Sequence, residues 1–146
     1  MKQGGEEQKL VEAALAARAN AYAPYSGFSV GAALLTRGGK IFTGCNVENA
    51  SFPAGNCAER TAFFTAVGAG EREFSAIAVV GGTAGRPVCA SCPPCGICLQ
   101  VMAEFCSSET FRVILPEGPD RWRVHTLGEL LPFGFGRTRL RNEKGG

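Results

Sequence analysis

The chain has 146 residues, 45% of them hydrophobic and 19% charged, which is the length of one domain with enough apolar material for a core and excludes disorder except at the ends. Fifteen lysines and arginines against thirteen acidic residues leave a net charge of +2, well short of the basic bias of a phosphate-tracking protein, so nucleic acid is not the expected partner. No apolar run approaches the roughly 20 residues that span a bilayer, and MKQGGEEQKL has no hydrophobic signal core; a cytoplasmic protein without membrane contact is expected.

No repeat, low-complexity segment or Pro/Ser linker interrupts the chain, so residues 1–136 read as one domain followed by a polar tail, 137–146, expected to fray. Residues 6–22, rich in Ala, Leu and Glu, predict a helix ended by Pro24. FSVGAALLT (28–36) and KIFTGCNV (40–47), joined through Arg37-Gly38-Gly39, predict a β-hairpin. ENASFPAGN (48–56) reads as a loop, with Asn56 a suitable N-cap for a helix, CAERTAFFTAVGAG, stopped by Gly68 and Gly70. FSAIAVVGG (74–82) predicts a buried strand, and a Gly/Pro/Cys loop leads to a second helix opened by Cys95. FRVIL (111–115), a turn at PEGPD, RWRVHT, and a last helical turn at TLGELLP complete the pattern. Alternating strands and helices imply an α/β domain, and the opening hairpin makes its five-stranded sheet mixed: a three-layer α/β/α sandwich.

The seven cysteines are Cys45, Cys57, Cys89, Cys92, Cys95, Cys98 and Cys106. An odd number without an export signal argues against a disulfide scaffold and for metal binding or catalysis. The single histidine, His125, reads as an ordinary strand-end residue, so any metal site must be built mainly from sulfur. Two short segments stand out, Cys57-Ala58-Glu59-Arg60 and Pro94-Cys95-Gly96-Ile97-Cys98, each at a predicted helix start. Unpaired N–H groups and the positive end of the helix dipole stabilise thiolates there. Cys95 and Cys98 can face one metal from a single turn. Cys57 from the other helix would make a third ligand, leaving the fourth zinc position for water, as in a catalytic site. Glu59 could then reach that water without being a ligand. Arg60 could offset the net negative charge of three thiolates on Zn²⁺.

The pair of segments resembles the C-x-E and P-C-x-x-C signature of the zinc deaminases. More narrowly, the chain is similar to the small homotetrameric cytidine deaminases. The likeness runs through PYSxFxVGAA (24–33), GCNVENA (44–50), CAERT (57–61), PCGIC with Gln100-Val101, Leu130-Leu131-Pro132 and Phe135-Gly136, in order over roughly residues 10–136. The resemblance implies one Zn²⁺ per chain on Cys57, Cys95 and Cys98, with Glu59 as acid/base. Zinc-activated water would attack C4 of the cytosine ring of cytidine or 2′-deoxycytidine, giving uridine or 2′-deoxyuridine and ammonia in pyrimidine salvage. It further implies that Asn46 and Glu48 bind the ribose 3′-hydroxyl, that Phe28 packs on the pyrimidine, and that main-chain groups of Ala58 read the base edge. Phe135 would enter the site from a neighbouring subunit of a homotetramer, with Tyr25 near the shared site. A carboxylate at Glu48 would repel a 3′-phosphate, favouring a nucleoside over a nucleic acid.

Plainer readings stand beside these: Phe28 and Phe135 as core, Asn46 and Glu48 as a solvated loop, Arg60 as a surface charge, Cys45 and Cys106 as buried thiols. The sequence departs from the family pattern at Leu99, where arginine is frequent, and at Phe52, where many relatives have tyrosine; Cys89 and Cys92 are extra. The regular spacing of Cys89, Cys92, Cys95 and Cys98 leaves open a four-cysteine iron–sulfur or structural module. That reading lacks the ferredoxin x3 gap and leaves Cys57-Ala58-Glu59 unexplained. Deamination of a cytosine aminonucleoside such as blasticidin S, or of cytosine in nucleic acid, are further alternatives.

Overall fold

The apolar runs at 28–36 and 74–83 lie side by side at the centre of a five-stranded mixed sheet. The coordinates are a computed structural model that describes residues 4–89 and 91–142. In chain order the elements are α1 (Gly5–Arg18), β1 (Phe28–Thr36), β2 (Ile41–Cys45), a 3₁₀ turn (Phe52–Ala54), α2 (Ala58–Gly68), β3 (Phe74–Thr83), α3 (Gly96–Phe105), β4 (Arg112–Gly118), β5 (Arg121–Thr126), α4 (Leu127–Leu130) and α5 (Arg137–Asn142). The strand order is β2-β1-β3-β4-β5. Among the described strands, only β3 and β4 pair in parallel, and α3 lies in the crossover between them. β1 and β3 are buried on both faces, which is why their sequences run apolar after a short alternation.

Each face of the sheet has its own core. On one, Leu10 and Ala14 of α1 pack on Ala33, Leu35, Ala76, Ala78, Val80 and Ile114. On the other, Phe63 of α2 and Met102 of α3 pack with Leu34, Ile77, Val79, Phe111 and Val113. These three layers are the predicted α/β/α sandwich. Two glycines let helices approach the sheet closely. A Cβ on Gly31 would strike Ala14 O and Arg18 N of α1, and one on Gly44 would strike Ala58 O and Ala62 N of α2. The first turn of α2 is thereby seated directly on β2.

Several local readings differ from the sequence expectation. The first helix ends at Arg18 rather than at 22, because Tyr22 pairs its backbone with the 46–48 segment: Tyr22 N donates to Asn46 O and Glu48 N to Tyr22 O. Cys57, not Asn56, is the N-cap of α2; the Asn56 backbone is paired in both directions with Val47 and its side chain donates to Thr61 Oγ1. β4 continues through the predicted turn to Gly118, with a register shift after Pro116. Part of the tail, Arg137–Asn142, is helical rather than frayed, while residues 143–146 lie outside the described residues. Among the described residues no helix is long and apolar enough to cross a membrane.

Candidate active site

α2 and α3 present their N-termini to each other, and both begin on a cysteine. Cys57 and Cys95 are the N-caps, each with extended backbone and neither side chain spent on a capping bond. A serine or aspartate there would turn back on the helix N–H groups; these thiols point at one another instead. The Sγ atoms of Cys57, Cys95 and Cys98 all lie within 4.8 Å of each other, with Cys95 and Cys98 Sγ 3.6 Å apart. Tetrahedral ligation at a Zn–S distance of about 2.3 Å needs sulfurs about 3.8 Å apart, so the trio fits a zinc ion with small adjustment. Cys89 and Cys92 do not join it. Cys92 is turned against the face of Gly81, where a Cβ would come 2.5 Å from its sulfur, and Cys89 Sγ donates to Ser91 O at 3.1 Å. The four-cysteine reading therefore fails.

Charge at the sulfurs is unevenly shared. The Cys57 thiol is lowered to about 5, because it accepts hydrogen bonds from Cys98 and from Arg60; Arg60 Nη2 stands 3.3 Å from Cys57 Sγ. Cys98, which supplies one of those hydrogens and is buried, is pushed up. Metal binding requires the thiol protons to leave. Glu59, one residue into α2, is 5% exposed. Burial, and then the Cys57 thiolate charge, hold its carboxyl above the usual glutamate range, which suits a group that takes up and releases protons during turnover. Arg60 Nε is buried without a partner. Leu99 is 7% exposed and packs in the core, so the position after Cys98 offers no second cation.

A cavity of about 480 Å³ opens beside Cys57, lined by Tyr25, Asn46, Glu48, Phe52 and Arg60 among others. That volume lies within the roughly 300–1,000 Å³ of small-molecule sites. Glu48 Oε1 accepts from Tyr25 N and Ser26 N, both at 3.0 Å. A hydrogen bond from the Ser26 side chain, and then these backbone bonds, lower its pKa and favour the ionised form. The Asn46 carboxamide is committed to β1, accepting from Val30 N and donating to Phe28 O, each at 2.8 Å; one of its N–H groups has no bond in this set. Phe28 is 38% exposed rather than core, and its ring shares the Gly81 face with Cys92. Ala58 is fully buried at the start of α2. Tyr25 meets Phe52 edge-on at 5.9 Å. Phe28, Ala58 and Phe135 do not line the cavity beside Cys57. Phe135 is 59% exposed, and its carbonyl is held by Gln100 Nε2 at 2.7 Å. Cys106 is pushed up by burial, Cys45 is half-buried, and His125 pairs with Glu129 at 3.3 Å on the last strand.

Three sulfurs at two helix N-termini, with a buried carboxylate beside them that is not part of the trio, define a metal-dependent hydrolase built on an α/β/α frame. The family described as the cytidine and deoxycytidylate deaminase zinc-binding region matches residues 5–114. A cytidine deaminase of Halalkalibacterium halodurans is 49% identical over 130 residues, covering 89% of this chain and 94% of that protein. One from Sporosarcina psychrophila is 47% identical over 133 residues, covering 91% and 93%. The crystal structure of cytidine deaminase from Burkholderia pseudomallei superposes with a TM-score of 0.78 at 55% identity, covering 88% of this chain and 98% of that one. The chain belongs to the cytidine and deoxycytidylate deaminase family, whose cofactor is zinc.

Proposed function

We propose that the protein hydrolyses cytidine and 2′-deoxycytidine to uridine and 2′-deoxyuridine with release of ammonia. The observation that carries this reading is the buried, protonatable Glu59 beside the Cys57, Cys95 and Cys98 trio. Zinc held by those three sulfurs supplies a Lewis acid at the reacting centre. Glu59 accepts a proton from the incoming water and delivers it to ring N3. It then takes the remaining proton from the new C4 hydroxyl and passes it to the departing amino group, so that C4–N breaks, C4=O forms, and water and nucleoside leave as the uracil product and ammonia. Its burial helps, because a carboxylate with a raised pKa gives up its proton late and regains it easily.

Main-chain groups at Ala58 read the base edge, and Phe28 packs on the ring. Glu48 offers its second carboxylate oxygen to the ribose 3′-hydroxyl, with the remaining N–H of Asn46 beside it. An ionised Glu48 repels a phosphate on the same hydroxyl, which favours a free nucleoside over a polynucleotide. The chain works as a cytoplasmic homotetramer. Supporting this, Phe135 and Phe133 are exposed, as are Tyr25 and Phe52 at the mouth of the Cys57 cavity. A neighbouring subunit can therefore bring Phe135 to a site it does not reach within its own chain. The domain that does this is residues 1–136.

Ammonia release from cytidine, deoxycytidine, CMP and blasticidin S, measured alongside zinc per chain, tests the reading. The two nucleosides are expected to be deaminated at one zinc per chain, and CMP and blasticidin S poorly. Glu59→Gln should keep fold and zinc yet lose turnover by about 10²–10⁴-fold. Normal turnover in that variant refutes the assigned role.

A further inference from the structure

Three consecutive carbonyls at the start of β1 are each held by a different donor. Gly27 O accepts from Ala84 N at 2.8 Å, Phe28 O from Asn46 Nδ2 at 2.8 Å and Ser29 O from Arg18 Nε at 3.0 Å. Arg18 sends its Nη2 onward to Thr83 O at 2.9 Å, and Thr83 stands opposite Phe28 in the β1–β3 pairing. One guanidinium thus ties the last residue of α1 to both central strands, at the rung that carries Phe28. Its planar fork is what allows two carbonyls on different strands to be met at once.

The Phe28 ring has little else to fix it. It is partly exposed, and its edge rests on the face of Gly81, where a Cβ would come within 3.0 Å of Phe28 Cε1. Cys92 Sγ lies on the same face, brought there by a segment that folds back when Cys89 N donates to Gly81 O at 2.8 Å. Phe28 and Cys92 therefore form one wall standing on the rung that Arg18 clamps. None of Arg18's hydrogen bonds goes to the cysteine trio or to Glu59.

We propose that Arg18 is a positioning residue for substrate binding, acting through Phe28 by fixing the β1–β3 rung beneath its ring. This rests on the reading of Phe28 as the aromatic that packs on the pyrimidine. Arg18 makes no contact with the reacting atoms, so its loss weakens ground state and transition state alike and appears in KM.

The test is steady-state deamination of cytidine by zinc-loaded enzyme, with melting temperature and zinc content recorded for every variant. Arg18→Met, which keeps much of the stem but neither hydrogen bond, should raise KM about tenfold, with kcat within about twofold of wild type. Arg18→Lys can reach one carbonyl and should recover part of the loss. Adding Arg18→Met to Phe28→Leu should leave KM no worse than in Phe28→Leu alone, because the two act as one unit. A wild-type KM in folded Arg18→Met overturns the proposal, and so do KM increases that multiply in the double variant. If Arg18→Met does not accumulate as folded protein, the Arg18→Lys single and its Phe28→Leu double decide. A raised KM that merges in the double supports the proposal; a wild-type KM overturns it. Failure of the wild-type enzyme to release ammonia from cytidine sinks the functional reading and this inference together. Normal wild-type turnover with indifferent Arg18 variants sinks the inference alone.

Discussion

Gly44→Ala is a single methyl group placed where β2 touches the helix that carries Cys57, Glu59 and Arg60. The new Cβ would lie 2.5 Å from Ala58 O, 2.6 Å from Ala62 N and 3.0 Å from Thr61 Cβ, whereas ordinary contact begins at 3.4 Å. Two of the three atoms are backbone, so no side chain can swing aside. The first turn of α2 must retreat by about 0.9 Å, and overpacking of this kind costs about 1–3 kcal/mol. For a domain of this length that is a fall of roughly 3–10 °C in Tm. The displacement also carries Cys57 away from Cys95 and Cys98. A tetrahedral site with bonds near 2.3 Å tolerates about ±0.2 Å, so zinc affinity should fall with stability. Gly68→Ala is the control: it sits at the other end of the same helix with open space around it and should be neutral or slightly stabilising. Thermal melts with zinc determination on both variants check this. A Gly44→Ala protein with wild-type Tm and full zinc would refute the claim that close seating of α2 on β2 sets the position of the first ligand.

Arg60→Met removes a hydrogen bond and a positive charge from Cys57, so that thiol should hold its proton more tightly. The pH midpoint of zinc uptake by the metal-free protein should move up by about one unit; an unchanged midpoint would mean Arg60 does not tune the site. Glu48 has a folded-state pKa below 4.5, so its bonds to the Tyr25–Ser26 turn stabilise the fold above that value and are lost as pH falls through the lower one. Glu48→Gln should therefore melt below wild type at neutral pH, and the two curves should converge in strong acid. A gap that persists there would show that charge is not what the turn recognises.

Most of the frame is readable in the sequence because its signals are local. β1 and β5 have the predicted limits, Phe28–Thr36 and Arg121–Thr126, marked by Gly27 before the first and Asp120 before the second. Cys57, Cys95 and Cys98 are legible because two helix starts and a fixed spacing bring them together before any tertiary contact is known. Two of the misreadings share one cause, backbone captured by another segment. Tyr22 leaves its helix to pair with residues 46–48, and Asn56, a good capping residue by type, has its backbone taken by Val47. No periodicity records such pairings. Nor does spacing separate Cys92 from Cys95 and Cys98. What separates it is a notch at Gly81, on the strand that precedes the cysteine loop. Arg18 is legible only as the end of a helix; its two acceptors belong to strands 11 and 65 residues further on.

Three thiolates around a divalent cation leave one negative charge in excess, and an ionised Glu59 adds another; the site must offset both without neutralising the metal's acidity. Side-chain cations do little of this among the described residues, since Arg60 alone reaches a ligand sulfur at 3.3 Å. Leu99, in the position after Cys98 where a second arginine could have stood, packs in the core and brings no charge. The remainder falls on backbone. Because Cys57 and Cys95 are themselves the N-caps, the free N–H groups of two helices converge on the sulfurs and carry the positive ends of both helix dipoles. Backbone charge is fixed in place, and because Glu59 lies in the first turn of α2 the same end of the helix also draws its pKa down. Burial outweighs that pull and holds the carboxyl above the usual glutamate range, and a second guanidinium at position 99 would add to the downward pull.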